Sequence, residues 1–308
     1  MRRLLIVAVA ALAVIAAVAF VSGPPGAPST VLGAGVKVPA GAPLPMLQDI
    51  DPEDLDPTRD VPGLPPIALA PPGGAIIQPG MIRIPKPPPP TGPRRVGIQV
   101  GHWKTDEVPA ELGARIITQT GTTWAGTKEV DVNLDIAQRV RAQLVARGFA
   151  VDIIPTTVPA GYLADVFLAL HADGDGTGDN SGFKLAHGIR RGPYEDRLVA
   201  VIREEYGKAT GMSYDAEHIG RNMNAYFAFN WGRYQHAAAA HTPSAILEMG
   251  YLSNDDDRAI LTDNADKVAS GITNGIVRFL NEVPQSKIFG EDIVVPSSPI
   301  RPSPSPTR

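Results

Sequence analysis

The chain has 308 residues, a net charge of −4 and a pI near 5.9. That balance argues against nucleic acid as a partner, because such affinity comes from neutralising phosphates. The absence of cysteine excludes disulfides, thiolate metal sites, a cysteine nucleophile and attachment of lipid to a cysteine.

Arg2 and Arg3 precede an unbroken apolar run from Leu4 to Val21. A basic flank before an apolar run is the pattern of a secretory signal. Its 18 residues are at the lower limit for a helix that spans a bilayer. Ala17-Val18-Ala19 offers a small-x-small step for cleavage, and an uncleaved segment would stay as an anchor with its positive end inside. Residues 1–22 are therefore expected to be a signal peptide or N-terminal membrane anchor. The rest is expected to be extracytoplasmic, either secreted or held at the membrane.

Residues 23–94 hold 20 of the 31 prolines. That density neither buries a core nor sustains a hydrogen-bonded ladder, so the segment is expected to be a disordered Pro-rich linker. Pro87 to Pro90 favour polyproline II, a semi-rigid spacer.

Periodic apolar residues begin at 95. Val96 to Gly101 predicts a short strand ending in glycine. Val132, Ile136, Val140 and Leu144 recur on one face, which predicts a helix over about 129–147 with Gly148 as its C′ residue. Further strands are expected over 149–154, 166–170 and 244–248. Further helices are expected over about 198–206 and 265–280, the last with Val268, Ile272 and Ile276 on one face. Asp255-Asp256-Asp257 suits the start of a short helix, where negative charge meets the positive end of the dipole. Strands alternating with helices predict an α/β fold, a single three-layer domain over 95–282 with a mostly parallel sheet flanked by helices. Residues 283–308 read as a disordered Pro/Ser tail.

In such sheets ligands gather at the carboxyl ends of the strands. His102 follows the first strand by one glycine, His171 follows Leu170 directly, and Glu248 closes the strand 244–247. Glu129 sits in the first turn of the long helix. Two imidazoles and one carboxylate form a known catalytic zinc set that leaves a fourth position for water. A further carboxylate outside the metal shell serves as general base. The sequence offers this count, with His102, Glu129 and His171 as ligands to Zn2+ and Glu248 as the base. The polar loop Asp173 to Asp179 looks like a calcium loop, but Lys184 stands where the bidentate glutamate belongs, so it reads as a flexible loop. The aromatic-rich run Asn222 to Trp231 reads as core packing ahead of a substrate wall. His187, His218, His236 and His241 read as surface or supporting residues.

Val100-Gly101-His102, Thr127-Lys128-Glu129, Leu168-Ala169-Leu170-His171-Ala172-Asp173 and Ile246-Leu247-Glu248-Met249-Gly250-Tyr251-Leu252-Ser253-Asn254 occur in one order. That order resembles the zinc-dependent N-acetylmuramoyl-L-alanine amidases over residues 95–282. The resemblance implies peptidoglycan as substrate and hydrolysis of the amide between the lactyl group of muramic acid and the first L-alanine of the stem. It also implies zinc on His102, Glu129 and His171, with Glu248 catalytic. The family usually has Asp-Pro-Gly-His-Gly-Gly at the first ligand, whereas this chain has Gln99-Val100-Gly101-His102-Trp103-Lys104. Ala169 and Asp173 also depart from the common Ser and Asn. A non-catalytic wall-binding module, and a zinc peptidase or deacetylase acting on another polymer, are the competing functions.

Overall fold

The computed structural model describes residues 75–78 and 81–296. The described residues begin with strands β1 (Ala75–Gln78), β2 (Met81–Ile84) and β3 (Arg95–Val100), then the short helix α1 (Ala110–Ile116). A hairpin of β4 (Thr123–Trp124) and β5 (Thr127–Lys128) leads straight into α2 (Glu129–Val145). Strands β6 (Ala150–Ile154), β7 (Val166–Asp173) and β8 (Lys184–Ala186) precede α3 (Glu195–Thr210) and α4 (Arg221–Asn224). The chain then forms β9 (Ser244–Tyr251), α5 (Asp255–Asp263), α6 (Ala265–Glu282), α7 (Gln285–Ile288) and β10 (Ile293–Pro296).

Five strands form the central sheet in the order β6-β3-β7-β9-β8. The pairs β6–β3, β3–β7 and β7–β9 are parallel, and β8 closes one edge antiparallel to β9. From β3 the chain crosses by α2 to β6 on one side, then returns to β7 on the other. The strand order therefore reverses between β3 and β7, which opens a crevice at their carboxyl ends.

Both faces of the sheet are covered, which is why its strands read as near-continuous apolar runs. Val96, Ile98, Val100, Leu168, Leu170 and Leu247 pack against α2, α3 and α6. On the other face, Phe167, Ala169 and Ile246 pack against α1 and the buried Met223, Phe227 and Phe229. The expected three-layer α/β arrangement with a mostly parallel sheet is thus present. Helix α6 lies tight against α3. A Cβ at Gly275 would come within 2.8 Å of the Ile202 Cα, so only glycine fits there. Helix α2 buries Val132, Ile136, Val140 and Leu144, the predicted stripe, and Gly148 follows with φ 87°. Asn254 caps α5, its side chain accepting from the Asp256 and Asp257 amides, as the acidic start implies.

The folded part extends beyond 95–282 on both sides. Strands β1, β2 and β10 form a second, antiparallel sheet in the order β1-β2-β10. They come from segments whose composition predicts a linker up to 94 and a tail from 283. Ile82 and Ile84 alternate with Arg83 and pack with Ile293, Val295 and Ala240. Arg83 pairs with Asp292, whose carboxylate also accepts from the Lys86 amide at 2.9 Å. Each strand has four residues and prolines beside it, and the β2–β10 partners lie more than 200 positions apart, so local periodicity carries no sign of the pairing. The signal peptide or anchor expected over 1–22, most of the expected linker and the end of the tail lie outside the described residues. Among the described residues no helix is long and apolar enough to cross a membrane.

Candidate metal centre

The crevice between β3 and β7 receives three of the four predicted residues. Past β3 the chain turns sharply, with His102 at φ 62° and Lys104 at φ 60°. This left-handed region is uncommon for residues with a Cβ and marks stored strain. The turn is held by Gly101 N–H donating to the Leu170 carbonyl at 3.0 Å. It is also held by the His102 ring, whose Nδ1 lies 2.7 Å from the Gln119 carbonyl. Gly101 is required for another reason. A Cβ there would sit 2.3 Å from Cε1 of His171, so a larger residue would displace the His171 ring.

Glu129 is the first residue of α2. The β4–β5 hairpin folds Thr122 back beside it, so Glu129 N–H donates to the Thr122 carbonyl at 2.9 Å and Thr122 N–H donates to Glu129 Oε2 at 2.8 Å. The second carboxylate oxygen, Oε1, accepts from the Ala172 amide at 3.1 Å and from Asn133 Nδ2 at 3.4 Å. That same oxygen lies 3.2 Å from His102 Nε2 and 3.0 Å from His171 Nδ1. All three side chains are nearly buried, exposed by 6%, 3% and 8% for His102, Glu129 and His171, so charge here is poorly shared with water.

Burial pushes the Glu129 carboxyl upward, but His102 and His171 outweigh it and hold it well below the usual carboxylate range. Burial pushes His102 down, yet Glu129 and the Gln119 carbonyl leave it raised above an ordinary histidine. Burial lowers His171, and the neighbouring His102 adds to that. The buried carboxylate thus calls for a positive partner.

The donor set fits a metal. A carbonyl oxygen only accepts, so His102 Nδ1 carries the ring proton and its neutral ring turns the Nε2 lone pair on Glu129. One ligand atom from each of His102, Glu129 and His171 lies within 4.8 Å of the others. Tetrahedral zinc with bonds of about 2.0–2.1 Å spaces its ligands about 3.3 Å apart, close to the 3.0 and 3.2 Å found around Oε1.

Glu248 stands one strand further along, in register with His171 of β7 and Lys184 of β8. Alternation along the strands puts His171, Glu248 and Gln99 on one face of the sheet. Burial pushes the Glu248 carboxyl well above its ordinary value, Asp173 and Glu129 add to this, and Lys184 opposes it. Lys184 hydrogen-bonds Asp173 and lies 4.6 Å from the centre of the Tyr251 ring.

Sequence reasoning missed two polar partners of the centre. Tyr226 sits in the aromatic run assigned to core packing. Phe227 and Phe229 do pack in the core, but the Tyr226 hydroxyl lies 2.9 Å from His171 Nε2 and 2.9 Å from Gln99 Oε1. Gln99 is fully buried; its place three residues before His102, in the middle of an apolar strand, was the available signal. The loop 173–180 is closed by Asp175, which accepts from the Thr177, Gly178 and Asn180 amides and from Ser253 Oγ. His187, His218, His236 and His241 pair away from the centre, with Asp196, Asp215, Glu111 and the Glu291 carbonyl.

A family model described as N-acetylmuramoyl-L-alanine amidase matches residues 96–278. No curated protein matches the chain. Among solved structures, the chain is similar to the catalytic domain of CwlV, an N-acetylmuramoyl-L-alanine amidase from Bacillus (Paenibacillus) polymyxa var. colistinus. The two share 21% identity over 61% of this chain and 98% of that one, with a TM-score of 0.40. The Ami1 amidase of Mycobacterium smegmatis gives 20% identity over 62% and 98% of the two chains and a TM-score of 0.46. An N-acetylmuramoyl-L-alanine amidase from Clostridium difficile 630 gives 15% identity over 62% and 98%, and a TM-score of 0.45.

Proposed function

The chain belongs to the N-acetylmuramoyl-L-alanine amidase family, and on that premise we propose that it cuts the stem peptide of peptidoglycan from the glycan. The bond broken is the amide between the lactyl group of muramic acid and L-alanine. The carrying observation is the convergence of His102 Nε2 and His171 Nδ1 on one oxygen of the buried Glu129 carboxylate. In this reading these three residues hold Zn2+. Bound there, zinc supplies a lowered pKa for water and a Lewis acid for the scissile carbonyl.

The protein's own groups do the rest. The Gln119 carbonyl keeps the His102 ring turned inward, and the Thr122 and Ala172 amides fix the Glu129 carboxylate. Glu248, on the same face as His171, takes a proton from the attacking water and delivers it to the leaving amine. Its half-buried position raises its affinity for that proton, which suits a group that must first accept and then donate. Lys184 keeps the rise in check. Cell wall lies outside the cytoplasm, so this activity agrees with the export implied by residues 1–22.

The test incubates the full chain and Glu248→Gln with purified cell wall, follows soluble peptides, and measures zinc in both. The expected outcome is release of peptides beginning with L-alanine by wild type. The variant should keep its zinc and lose about 10²–10⁴-fold in rate. Release of acetate or single amino acids would indicate a deacetylase or peptidase. Wall binding without any product would indicate a binding module.

A further inference from the structure

We propose that Tyr226 and Gln99 are positioning residues that set the tautomer of His171, so that its Nδ1 faces the metal position as a bare lone pair. The inference rests on the metal reading given above.

A chain of hydrogen bonds runs from the backbone to the ring. Gln99 Nε2 lies 3.0 Å from the Thr156 carbonyl. Gln99 Oε1 lies 2.9 Å from the Tyr226 hydroxyl, which lies 2.9 Å from His171 Nε2. The direction of each bond follows from the first. The Thr156 carbonyl only accepts, so the Gln99 amide must turn its nitrogen there. Its oxygen then faces Tyr226 and also only accepts. The one hydroxyl proton of Tyr226 is thereby committed to Gln99, and the hydroxyl oxygen must accept from His171 Nε2–H. In a neutral imidazole that leaves Nδ1 unprotonated. Nδ1 is the atom 3.0 Å from Glu129 Oε1.

The anchor of the chain is firm. Gln99 is fully buried within β3, and Thr156 N–H donates to the Trp103 carbonyl at 2.9 Å. The Tyr226 ring stands edge-on to His171, with centroids 5.3 Å apart, and is backed by Phe227 and Phe229. His102 has a shorter version of the same device in its bond to the Gln119 carbonyl. Both rings are therefore directed by backbone carbonyls, one directly and one through two side chains. Partners of this kind fix ring orientation and raise metal affinity.

The test measures zinc affinity of the full chain by competition with a chromophoric chelator at one pH, for wild type, Tyr226→Phe and Gln99→Met. Gln99→Met keeps the length and removes the acceptor, which frees the Tyr226 proton to turn on His171 Nε2. The expected result is zinc binding weakened about 10–100-fold in each variant while both still melt cooperatively. Long-range ¹⁵N–¹H correlation on zinc-loaded wild type should place the His171 proton on Nε2. Folded variants that bind zinc as tightly as wild type, or a His171 proton on Nδ1, would overturn the proposal while leaving the metal site in place. If the variants do not fold, the tautomer in wild type decides. Wild type that binds no zinc would remove the metal reading and this proposal together.

Discussion

Gly101 has less room than Gly121, the other glycine against the site, because its missing Cβ leaves space for the His171 ring. Gly101→Ala places a methyl 2.3 Å from the His171 ring, and the ring is the more movable of the two. We expect this variant to fold and to lose zinc affinity by at least about 10-fold, the scale seen when a ligand's orientation is disturbed. Unchanged affinity in a chelator competition would show that the rings need not be this close. Single residues were legible in the sequence where chemistry and place in the fold coincided. His102, Glu129 and His171 each stand at a strand end or helix start, and the structure brings them together. Gln99 and Tyr226 were not legible, since each is ordinary in its local setting. Their roles exist only once a loop 127 positions away meets β3.

At the scale of elements, two helices begin with a buried glutamate and treat it in opposite ways. Glu129 opens α2 facing two imidazoles, which hold its carboxyl low. Glu195 opens α3, where it accepts from the Gly192 and Tyr194 amides at 3.0 and 3.2 Å. Burial dominates there and pushes its carboxyl up to about 7 from 4.5. A carboxyl with a raised folded pKa binds its proton more tightly when folded. Its ionisation therefore removes stability as pH climbs from about 4.5 to about 7, by at most about 3 kcal/mol. Urea unfolding across that range should show this loss in wild type, and Glu195→Gln should flatten it. Parallel pH profiles for the two proteins would show that the amide donors and Arg191 already compensate burial. The long elements were read from period alone, because α2 and α6 present unbroken stripes to the core. The two-residue strands β4 and β5 and the short helix α1 were not read. The strands span a single alternation and α1 fewer than two turns, too little for a period to stand out, and the hairpin is set instead by Ala125 at φ 47° and Gly126 at φ 82°.

For the whole molecule, the three layers place the site at the point where strand order reverses, and a second sheet extends the folded part to 75–296. That second sheet buries Ile82, Ile84, Ile293 and Val295 and covers Ala240. Fully burying an aliphatic side chain contributes about 1.5–3 kcal/mol before ordering costs are subtracted. A fragment of residues 95–282 is therefore expected to be less stable than one of 75–296, by at least about 2 kcal/mol in urea. Equal unfolding midpoints would mean that the small sheet adds nothing to the domain. Composition concealed this sheet, since proline density signals a poor core former but says nothing about short strands that borrow a partner from the far end of the chain.

Zinc-edge X-ray absorption on the purified full chain reads the ligands of the metal themselves. The metal site proposed on His102, Glu129 and His171 is expected to hold one zinc per chain with two imidazole nitrogens and oxygen ligands at about 2.0–2.1 Å, and to lose one imidazole in His171→Ala. An all-oxygen shell, or a spectrum unchanged by His171→Ala, would contradict it.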